Sequence, residues 1–467
     1  MLVAMECYTR YCMTQLFYCM TYNMWFPEKT TQKMGANALV QAIEKAIFAQ
    51  QLKIGDRLPP QRILAYKLDI NPTTVSRAYQ RAAQKGLVGG QIGRGTYVLA
   101  QSNTALFSHI MLEQQDNIID LSINKLPCDD KIFAINRQVE QANLYKDQHQ
   151  YYEYIANDMI SRYQLAVTQW LQRVRDISFN PTQILPVPSC QYGIYFILRQ
   201  QLKRGDVLLV EQFTSPGIIA AAKEYGLRLF NCKCDEQGLI PTSLDSLVAQ
   251  TNGKMLITIP SHQSPMGITQ SDERRQALAK VIINRDLLVV EEDIYGMFAK
   301  PAPLAKYAPN NVLLLSGFSK CLSGGHKISF IGGAHSRMQG LTQKIIETLW
   351  LISATAASHI ITALENNFIE QATEHVINEN RRKNQLVNSI MKLDLALDNP
   401  HHWINCDLDF VQRAAEHGIK LAHQDHFSVI KNDHKTAFYR LSVHCVTDQK
   451  LKKAAIILRE LMKKGLS

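Results

Sequence analysis

The sequence predicts an α/β protein with a small helical module near its N-terminus and a larger sheet domain behind it. With 467 residues, the chain is longer than one hydrophobic core usually organises, so two or three domains are expected. Residues 35–98 show three short helical patterns followed by a glycine-rich pair of strands. From about residue 118, strand-like and helix-like segments alternate, which is typical of a mostly parallel sheet covered by helices.

The first module begins with two helices. Apolar residues recur with a helical period between Gly35 and Gln51, which predicts a first helix with one buried face. After the turn at Gly55-Asp56, the segment Gln61–Leu68 predicts a second, short helix.

A third helix and a pair of strands complete the module. Asn71 followed by Pro72 is typical of a helix N-terminus, so the third helix is predicted to begin there and to continue to about Lys85, before Gly86. Glycines divide Leu87–Val98 into two short strands, which predicts a β-wing. The order of elements from residue 29 to residue 98 is therefore that of a winged helix-turn-helix.

Most of the net charge lies in this module. The chain carries a formal net charge of +10, and residues 29–100 alone hold eleven Lys/Arg against three Asp/Glu. A small domain with such an imbalance attracts phosphate polyanions, whereas the rest of the chain is near neutrality.

Polar and basic side chains lie where a helix in the major groove reads bases and phosphates. The residues expected to contact DNA are Arg62 in the second helix, Thr73, Thr74, Ser76, Arg77 and Arg81 in the third, and Arg94 at the wing tip. A bundle with a solvated basic face is the alternative. Charge, helix lengths, N-cap and wing together favour DNA binding.

The larger domain is predicted to follow a polar linker, residues 99–117, and to occupy residues 118–467. Strands are predicted at 183–187, 206–210, 255–259, 287–291 and 312–315, with helices at 217–225 and 271–284. From about residue 341, a long helical stretch and mixed segments predict a smaller α+β lobe.

Cysteine usage and the first residues bear on the compartment. Ten cysteines without a C-x-x-C pair favour neither a zinc site nor a secreted disulfide framework, so no metal and a reduced, cytoplasmic location are expected. No apolar span approaches membrane length, and no basic leader precedes an apolar block. Residues 1–28 are predicted to be an extension, either a disordered tail or the result of a start site assigned too far upstream.

Three segments of the first module, Gly55–Arg62, Thr74–Tyr79 and Gly93–Val98, resemble the GntR family of winged-helix regulators, in the form found in its MocR subfamily. This resemblance covers nearly all of residues 35–98. It implies a dimeric transcription factor that binds paired half-sites of a double-stranded DNA operator.

The remainder resembles the fold-type I aminotransferases, which in the MocR subfamily follow the winged helix. The resemblance implies the cofactor pyridoxal 5'-phosphate, which needs a lysine amine, a carboxylate, a phenol and phosphate donors. Lys320, in the run Ser316–Lys320, matches the lysine that forms a Schiff base with the cofactor aldehyde. Tyr295 matches the tyrosine at the ring oxygen, and Arg440 matches the arginine that holds a substrate carboxylate.

The phosphate is assigned to the start of a helix. Ser189, Cys190 and Gln191 open a helix directly after a predicted strand, so their backbone N–H groups can hold it. Ser319, beside the lysine, is also predicted to contact the cofactor. Lys327 stands where the family has an arginine and lacks its planar, two-pronged geometry.

Other positions depart further from the family pattern. Glu292 stands where the family has the aspartate on the pyridine nitrogen, and Asp293 in a shifted register is the alternative. Ser264 occupies the usual asparagine position beside the ring oxygen. Ser215 replaces a stacking aromatic residue, and Gly317 replaces a phosphate-binding serine. Weakened cofactor binding is therefore expected.

Three functions follow from this resemblance. The leading one is a transcriptional regulator whose aminotransferase-like domain forms a homodimer and senses pyridoxal phosphate or an amino compound. An aminotransferase with an accessory winged-helix domain is the first alternative, and a regulator whose pocket no longer binds the cofactor is the second. Because the departures fall on groups that grip and polarise the cofactor, efficient turnover is not expected.

Overall fold

The computed structural model describes residues 25–27, 34–48, 51–52, 56–84, 87–91, 95–98, 118–126, 129–144, 153–407, 410–429 and 436–465. The chain divides into two units, Met1–Glu113 and Gln114–Ser467. Arg94, the predicted linker and most of the predicted N-terminal extension lie outside the described residues. None of the described helices is long and apolar enough to cross a membrane.

Within the described part of the N-terminal unit there are three helices and a two-stranded sheet. The helices span Ala36–Phe48, Gln61–Leu68 and Pro72–Gln84. Strands β1, Val88–Gln91, and β2, Gly95–Val98, pair antiparallel as the wing. The predicted winged helix-turn-helix is confirmed.

Apolar side chains from every element of this unit meet in one core. Its fully buried members include Leu39, Ile43, Leu64, Val75 and Ala78. They recur at the three- and four-residue spacing of amphipathic helices, which is why the helical pattern was readable in the sequence. The remaining faces of the helices are free for polar and charged side chains.

Local contacts determine where the third helix begins and how the wing is attached. The Asn71 side-chain oxygen accepts a hydrogen bond from the Thr73 backbone N–H at 2.9 Å, an N-cap contact. The segment before the second helix is joined to the wing, because Leu58 N–H donates to the Thr96 carbonyl at 2.8 Å. The Asn71 contact fixes the first turn of the third helix, Pro72–Gln84, which is the predicted recognition helix.

The second unit is built from many short strands. In chain order they are β3, Ile119–Asp120; β4, Ile184–Val187; β5, Val207–Glu211; β6, Arg228–Cys232; β7, Cys234–Asp235; β8, Gly238–Leu239; β9, Met255–Thr258; β10, Leu288–Glu292; β11, Val312–Gly317; β12, Ser329–Gly332; β13, His401–Asp407; β14, Ile419–Lys420; β15, Ala422–His423; and β16, Thr436–Ser442.

Helices alternate with these strands. They span Asp130–Leu144, Asn157–Arg175, Cys190–Gln201, Pro216–Tyr225, Pro241–Thr251, Asp272–Asn284, Leu304–Tyr307, His335–Met338, Leu341–Leu349, Ala354–Glu365, Phe368–Met391, Phe410–Glu416 and Asp448–Gly465. Short 3-10 turns lie at Pro181–Gln183, Gly296–Phe298 and Gln424–His426.

Seven strands form the main sheet, in the order β4-β12-β11-β10-β9-β5-β6. Neighbouring strands from β11 to β6 run parallel, whereas β12 is antiparallel to both β11 and β4. The sheet residues are almost entirely buried apart from those of β6, as expected when helices cover both faces. The predicted α/β class with a mostly parallel sheet is confirmed.

A second hydrophobic core defines the smaller lobe. It packs around the sheet β13-β16-β15, the helix Asp448–Gly465 and the end of the helix Phe368–Met391. Strand β14 pairs in parallel with β3, so Ile119 and Leu121 belong to this core. The helix Ala354–Glu365 packs in the large core, although it lies within the segment predicted as the lobe.

The parallel strands place several loops at one edge of the main sheet. The carboxyl ends of β9, β10 and β11 lead into the loops that carry Ser264, Tyr295 and Lys320. In open α/β sheets, ligands bind outside the carboxyl ends of the strands.

Candidate functional site

Lys320 follows β11 and is half-buried at this edge. Its amine donates a hydrogen bond to the backbone carbonyl of Asn124 at 2.7 Å. The same nitrogen lies 5.6 Å from the centre of the Tyr295 ring. The structure therefore brings the predicted lysine and the predicted tyrosine together.

The two carboxylates at the end of β10 have different environments. Asp293 is buried, pairs with Arg175 at 3.2 Å and accepts a hydrogen bond from the Ser261 hydroxyl at 2.8 Å. Glu292 is partly exposed as a residue, but its Oε2 is buried and has no hydrogen-bond partner among the described residues. Burial raises the pKa of Glu292 to about 7, and the nearby Lys320 opposes that shift. Of the two, Glu292 has the free oxygen.

Tyr295 is buried and held by a neighbour that the sequence did not indicate. The Asn124 side-chain amide donates to the Tyr295 hydroxyl oxygen at 2.8 Å. The same nitrogen lies 2.8 Å from Nδ1 of His401. Asn124 comes from the irregular segment after β3 and His401 begins β13, so the two lobes meet at this tyrosine.

Arg440, on β16, is a buried cation in the same region. It donates to the Ser264 hydroxyl at 3.0 Å and to the Ser122 carbonyl at 2.6 Å, and its guanidinium lies 4.7 Å from the centre of the Phe427 ring. Its Nε has no hydrogen-bond partner, and none of the ion pairs among the described residues involves it. Burial lowers the pKa of the Arg440 guanidinium, because the charged form is poorly solvated there.

The predicted phosphate segment forms a helix start. Ser189 is the N-cap of the helix Cys190–Gln201, and its hydroxyl accepts from the Tyr192 backbone N–H at 3.2 Å. Burial raises the pKa of the Cys190 thiol to about 12, with a further contribution from Glu292 and an opposing one from Lys320. The first turn of this helix thus lies close to the lysine and the carboxylate. The side-chain amide of Gln191 donates to the Gly217 carbonyl at 3.0 Å.

The loop around the lysine holds the remaining predicted residues. Ser319 is half-buried beside Lys320, whereas Lys327 is exposed and adopts a left-handed backbone with φ 51°. At Gly317 a side chain would collide with the hydroxyl of Ser329. Ser329 therefore takes the space of the serine that the family has at position 317.

The predicted DNA-contacting residues have the exposure that such a role needs. Arg62, Thr73, Arg77 and Arg81 are exposed, and Thr74 and Ser76 are half-buried. Arg81 donates to the side chain of Asn37 on the first helix. Arg94 lies outside the described residues.

Sequence reasoning missed Asn124, Ser122 and His401. The segment Leu121–Asn124 has no helical or strand period of its own, and its carbonyls reach Lys320 and Arg440 only through the tertiary fold. The sequence feature that could have indicated Ser122 and Asn124 is their position, as polar residues, directly after the strand β3.

Known proteins resemble both parts of the chain. Residues 116–458 match the family described as aminotransferase class I and II, and residues 36–98 match the bacterial regulatory proteins of the gntR family. The chain is 26% identical over 440 residues to the uncharacterized HTH-type transcriptional regulator YdeF of Bacillus subtilis, covering 91% of this chain and 94% of that protein. It is 22% identical to the uncharacterized HTH-type transcriptional regulator YjiR of Escherichia coli, covering 66% of this chain and 71% of that one.

The fold agrees with solved aminotransferases. The kynurenine aminotransferase of Pyrococcus horikoshii superposes with a TM-score of 0.69 at 18% identity, covering 79% of this chain and 95% of that chain. LysN, the α-aminoadipate aminotransferase of Thermus thermophilus, superposes with a TM-score of 0.68 at 19% identity, with the same coverage of both chains.

The two matched families define the class of protein: a gntR-type winged helix joined to a domain of the aminotransferase class I and II family, whose members generally depend on pyridoxal phosphate. The chain belongs to that aminotransferase family over most of its length and is a DNA-binding transcriptional regulator of the GntR/MocR type.

Proposed function

We propose that the aminotransferase-like domain of this regulator binds pyridoxal phosphate, senses the cofactor or an amino compound held with it, and changes the affinity of the winged helix for its operator. The observation that carries the proposal is the convergence of three groups at one edge of the main sheet: a lysine amine, a carboxyl oxygen without a hydrogen-bond partner among the described residues, and a buried guanidinium that forms no ion pair there. The cytoplasm is the proposed compartment.

The described residues fit pyridoxal phosphate. The Oε2 of Glu292 is a buried acceptor without a partner, as a protonated pyridine nitrogen requires, and it lies within the electrostatic reach of Lys320. The backbone N–H groups at the helix start, Ser189, Cys190 and Gln191, would hold the phosphate together with Ser319 and Lys327. Ser264 would lie beside the ring oxygen together with Tyr295. Asp293 would not contact the cofactor and would only stabilise the end of β10. When bound, the group supplies an aldehyde for amines and an electron-withdrawing ring.

Arg440 indicates a carboxylate-bearing effector. A buried guanidinium without an anionic partner is costly, and a carboxylate held by two parallel hydrogen bonds would compensate it. The effector would therefore be an amine that also carries a carboxylate, that is, an amino acid.

A working aminotransferase is the second candidate, favoured by the retention of Lys320, Tyr295 and Arg440. Two observations oppose it. Ser264, in the asparagine position, is already bonded to Arg440. Glu292 stands where the family has aspartate, and Asp293 is engaged by Arg175 and cannot take its place. If the protein transferred amino groups steadily between amino and keto acids and showed no sequence preference in DNA binding, the aminotransferase would replace the regulator as the leading candidate.

On the DNA side, Arg62, Thr73, Thr74, Ser76, Arg77, Arg81 and Arg94 are proposed to contact the operator. The proposed domain boundaries remain 29–98 for the winged helix, 99–117 for the linker and 118–467 for the aminotransferase-like domain. A homodimer of that domain would set the spacing of two half-sites.

Reductive trapping tests the cofactor proposal. The purified protein is incubated with pyridoxal phosphate, its absorbance is recorded, and borohydride reduction is followed by peptide mass mapping. We expect a visible band and a reduced adduct on the peptide that contains Lys320, both lost in Lys320→Ala. Lys306→Ala, at a surface lysine that pairs with Asp176, is the control and should behave as wild type. If the wild-type protein stayed colourless, the result would instead support the alternative function, a regulator whose pocket no longer binds the cofactor.

A further inference from the structure

Both polar atoms of the Asn124 side chain have partners inside the candidate site. It is buried, with 7% of its surface exposed. Its amide nitrogen contacts Tyr295 and His401, and its side-chain oxygen accepts from the Ser442 hydroxyl. Asparagine has two amide hydrogens and one carbonyl oxygen, so each finds a partner here.

The orientation of this amide follows from His401. Nε2 of His401 lies 3.0 Å from the Gln263 carbonyl, which can only accept, so the ring hydrogen is on Nε2. Nδ1 is then an acceptor and must face the NH₂ group of Asn124. Burial lowers the pKa of His401 well below its ordinary value, which keeps the ring neutral and this arrangement intact.

This orientation of the amide determines whether the Tyr295 hydroxyl donates or accepts. One amide hydrogen of Asn124 goes to His401 and the other goes to the Tyr295 oxygen, which therefore acts as an acceptor. The hydrogen of the Tyr295 hydroxyl remains available for an acceptor inside the site. The backbone carbonyl of Asn124 meanwhile holds the Lys320 amine at 2.7 Å.

We propose that Asn124 is the positioning residue of this site: its side chain turns the Tyr295 hydroxyl into a donor toward the cofactor ring oxygen, and its backbone holds Lys320 until the cofactor arrives. The proposal rests on the proposed cofactor binding at Lys320. It assigns to Asn124 a role at the ring oxygen, where Ser264 is occupied by Arg440.

The first test uses the full-length protein without cofactor. The rate at which an amine-acylating reagent modifies Lys320 is followed by peptide mass. Asn124→Ala removes the contacts that anchor the carbonyl holding Lys320, so we expect acylation to be faster by about fivefold or more, as the loss of one net hydrogen bond implies. A rate equal to that of wild type would overturn the proposal.

The second test uses the cofactor-loaded protein and Asn124→Asp. A carboxylate only accepts, so the Tyr295 hydroxyl must turn toward it and away from the ring oxygen. We expect the pH midpoint of the cofactor's visible absorbance change to rise by about one pH unit, because the ring oxygen loses a donor and a negative charge is added nearby. Within the described part of the chain, the groups that act on Lys320 (Glu292, Cys190 and His444) and those beside Tyr295 (Arg440 and His401) are not substituted in this variant. An unshifted midpoint would count against the proposal.

Asn384 provides a matched control. It is also fully buried, it accepts from Nε2 of His402 at 2.7 Å, and its amide donates to backbone carbonyls of the small lobe. Asn384→Ala and Asn384→Asp should change stability without changing either readout. If wild type takes up no cofactor, the proposed sensing fails, and the acylation rates alone decide the role of Asn124. If wild type binds cofactor and the Asn124 variants behave like the Asn384 variants, sensing stands and this proposal falls.

Discussion

Two buried groups of the candidate site, on Glu292 and Arg440, are incompletely compensated. The Oε2 of Glu292 and the Nε of Arg440 are buried and have no hydrogen-bond partners in the described part of the chain, whereas nearby Asp293 and Arg175 compensate each other. A buried polar group without a partner costs on the order of 1–3 kcal/mol. Under the proposed function, Glu292 and Arg440 would bind the ligand, whereas Asp293 and Arg175 support the fold.

Glu292→Gln tests this at one residue. Since burial raises the pKa of Glu292 from its ordinary 4.5 to about 7, the folded protein retains a proton there that the unfolded chain releases above about pH 4.5. The stability contributed by this group is thus present below pH 4.5 and is lost as the pH rises through 7. Without cofactor, we expect the free energy of unfolding of wild type to fall relative to Glu292→Gln across this window, by on the order of 2 kcal/mol.

The measurement is urea unfolding followed by tryptophan fluorescence between pH 4.5 and 8. Glu374→Gln, at an exposed position of the helix Phe368–Met391, is the control. Wild-type and Glu292→Gln stabilities that keep a constant difference across the range would contradict the assignment.

Arg77→Ala tests the DNA surface. Arg77 is exposed on the recognition helix. If it makes a bidentate base contact, its loss should weaken operator binding by about 1–3 kcal/mol and relax the preference at one base position. Arg459→Ala, on the last helix of the other unit, should leave binding unchanged. Affinity measured on single-base operator variants decides the point, and an unchanged base preference would refute the recognition-helix role of Arg77.

At the scale of elements, the sequence predicts what depends on local pattern. The helix Gln61–Leu68 and the start of the helix at Pro72 are found as predicted, and the predicted strands of the main sheet lie within two residues of their observed bounds. The antiparallel insertion of β12 and the pairing of β3 with β14 were not predicted, because register between distant strands depends on tertiary packing.

The same distinction applies to the candidate site. Lys320 and Tyr295 follow strands in recognisable local motifs, so the sequence could name them. Asn124 and Ser122 act through contacts with residues 171 to 318 positions away, and no local pattern indicates such partners. The proposed choice of Glu292 over Asp293 also depends on the structure, since burial and pairing distinguish the two side chains.

Asn71→Ala tests the start of the recognition helix. The change removes the acceptor for the Thr73 backbone N–H and hydroxyl, at 2.9 and 2.8 Å. We expect the helix to lose about 1 kcal/mol of local stability, whereas Asn71→Ser, another good N-cap, should retain most of it. Amide hydrogen exchange of peptides within residues 72–84 measures this. Equal protection in wild type and the alanine variant would contradict the cap.

At the scale of the whole molecule, regulation requires a free-energy coupling between two sites. If the ligand at Lys320 changes operator affinity by some factor, the operator must change the affinity for that ligand by the same factor. Coupling of typical size, about 1–3 kcal/mol, corresponds to a change of about 5- to 150-fold.

A homodimer is part of this account and has its own test. Two winged helices carried by a dimeric body should protect two half-sites at a fixed spacing. Light scattering gives the mass in solution, and footprinting gives the spacing. A monomeric mass together with a single protected half-site would contradict the dimer.

The most direct test of the central claim is operator affinity with and without pyridoxal phosphate, alone and then with a panel of amino acids, in wild type and in Lys320→Ala. We predict that the ligands shift the affinity of wild type by at least about fivefold and leave that of Lys320→Ala unchanged. No shift in wild type under any of these conditions, or the same shift in both proteins, would contradict it.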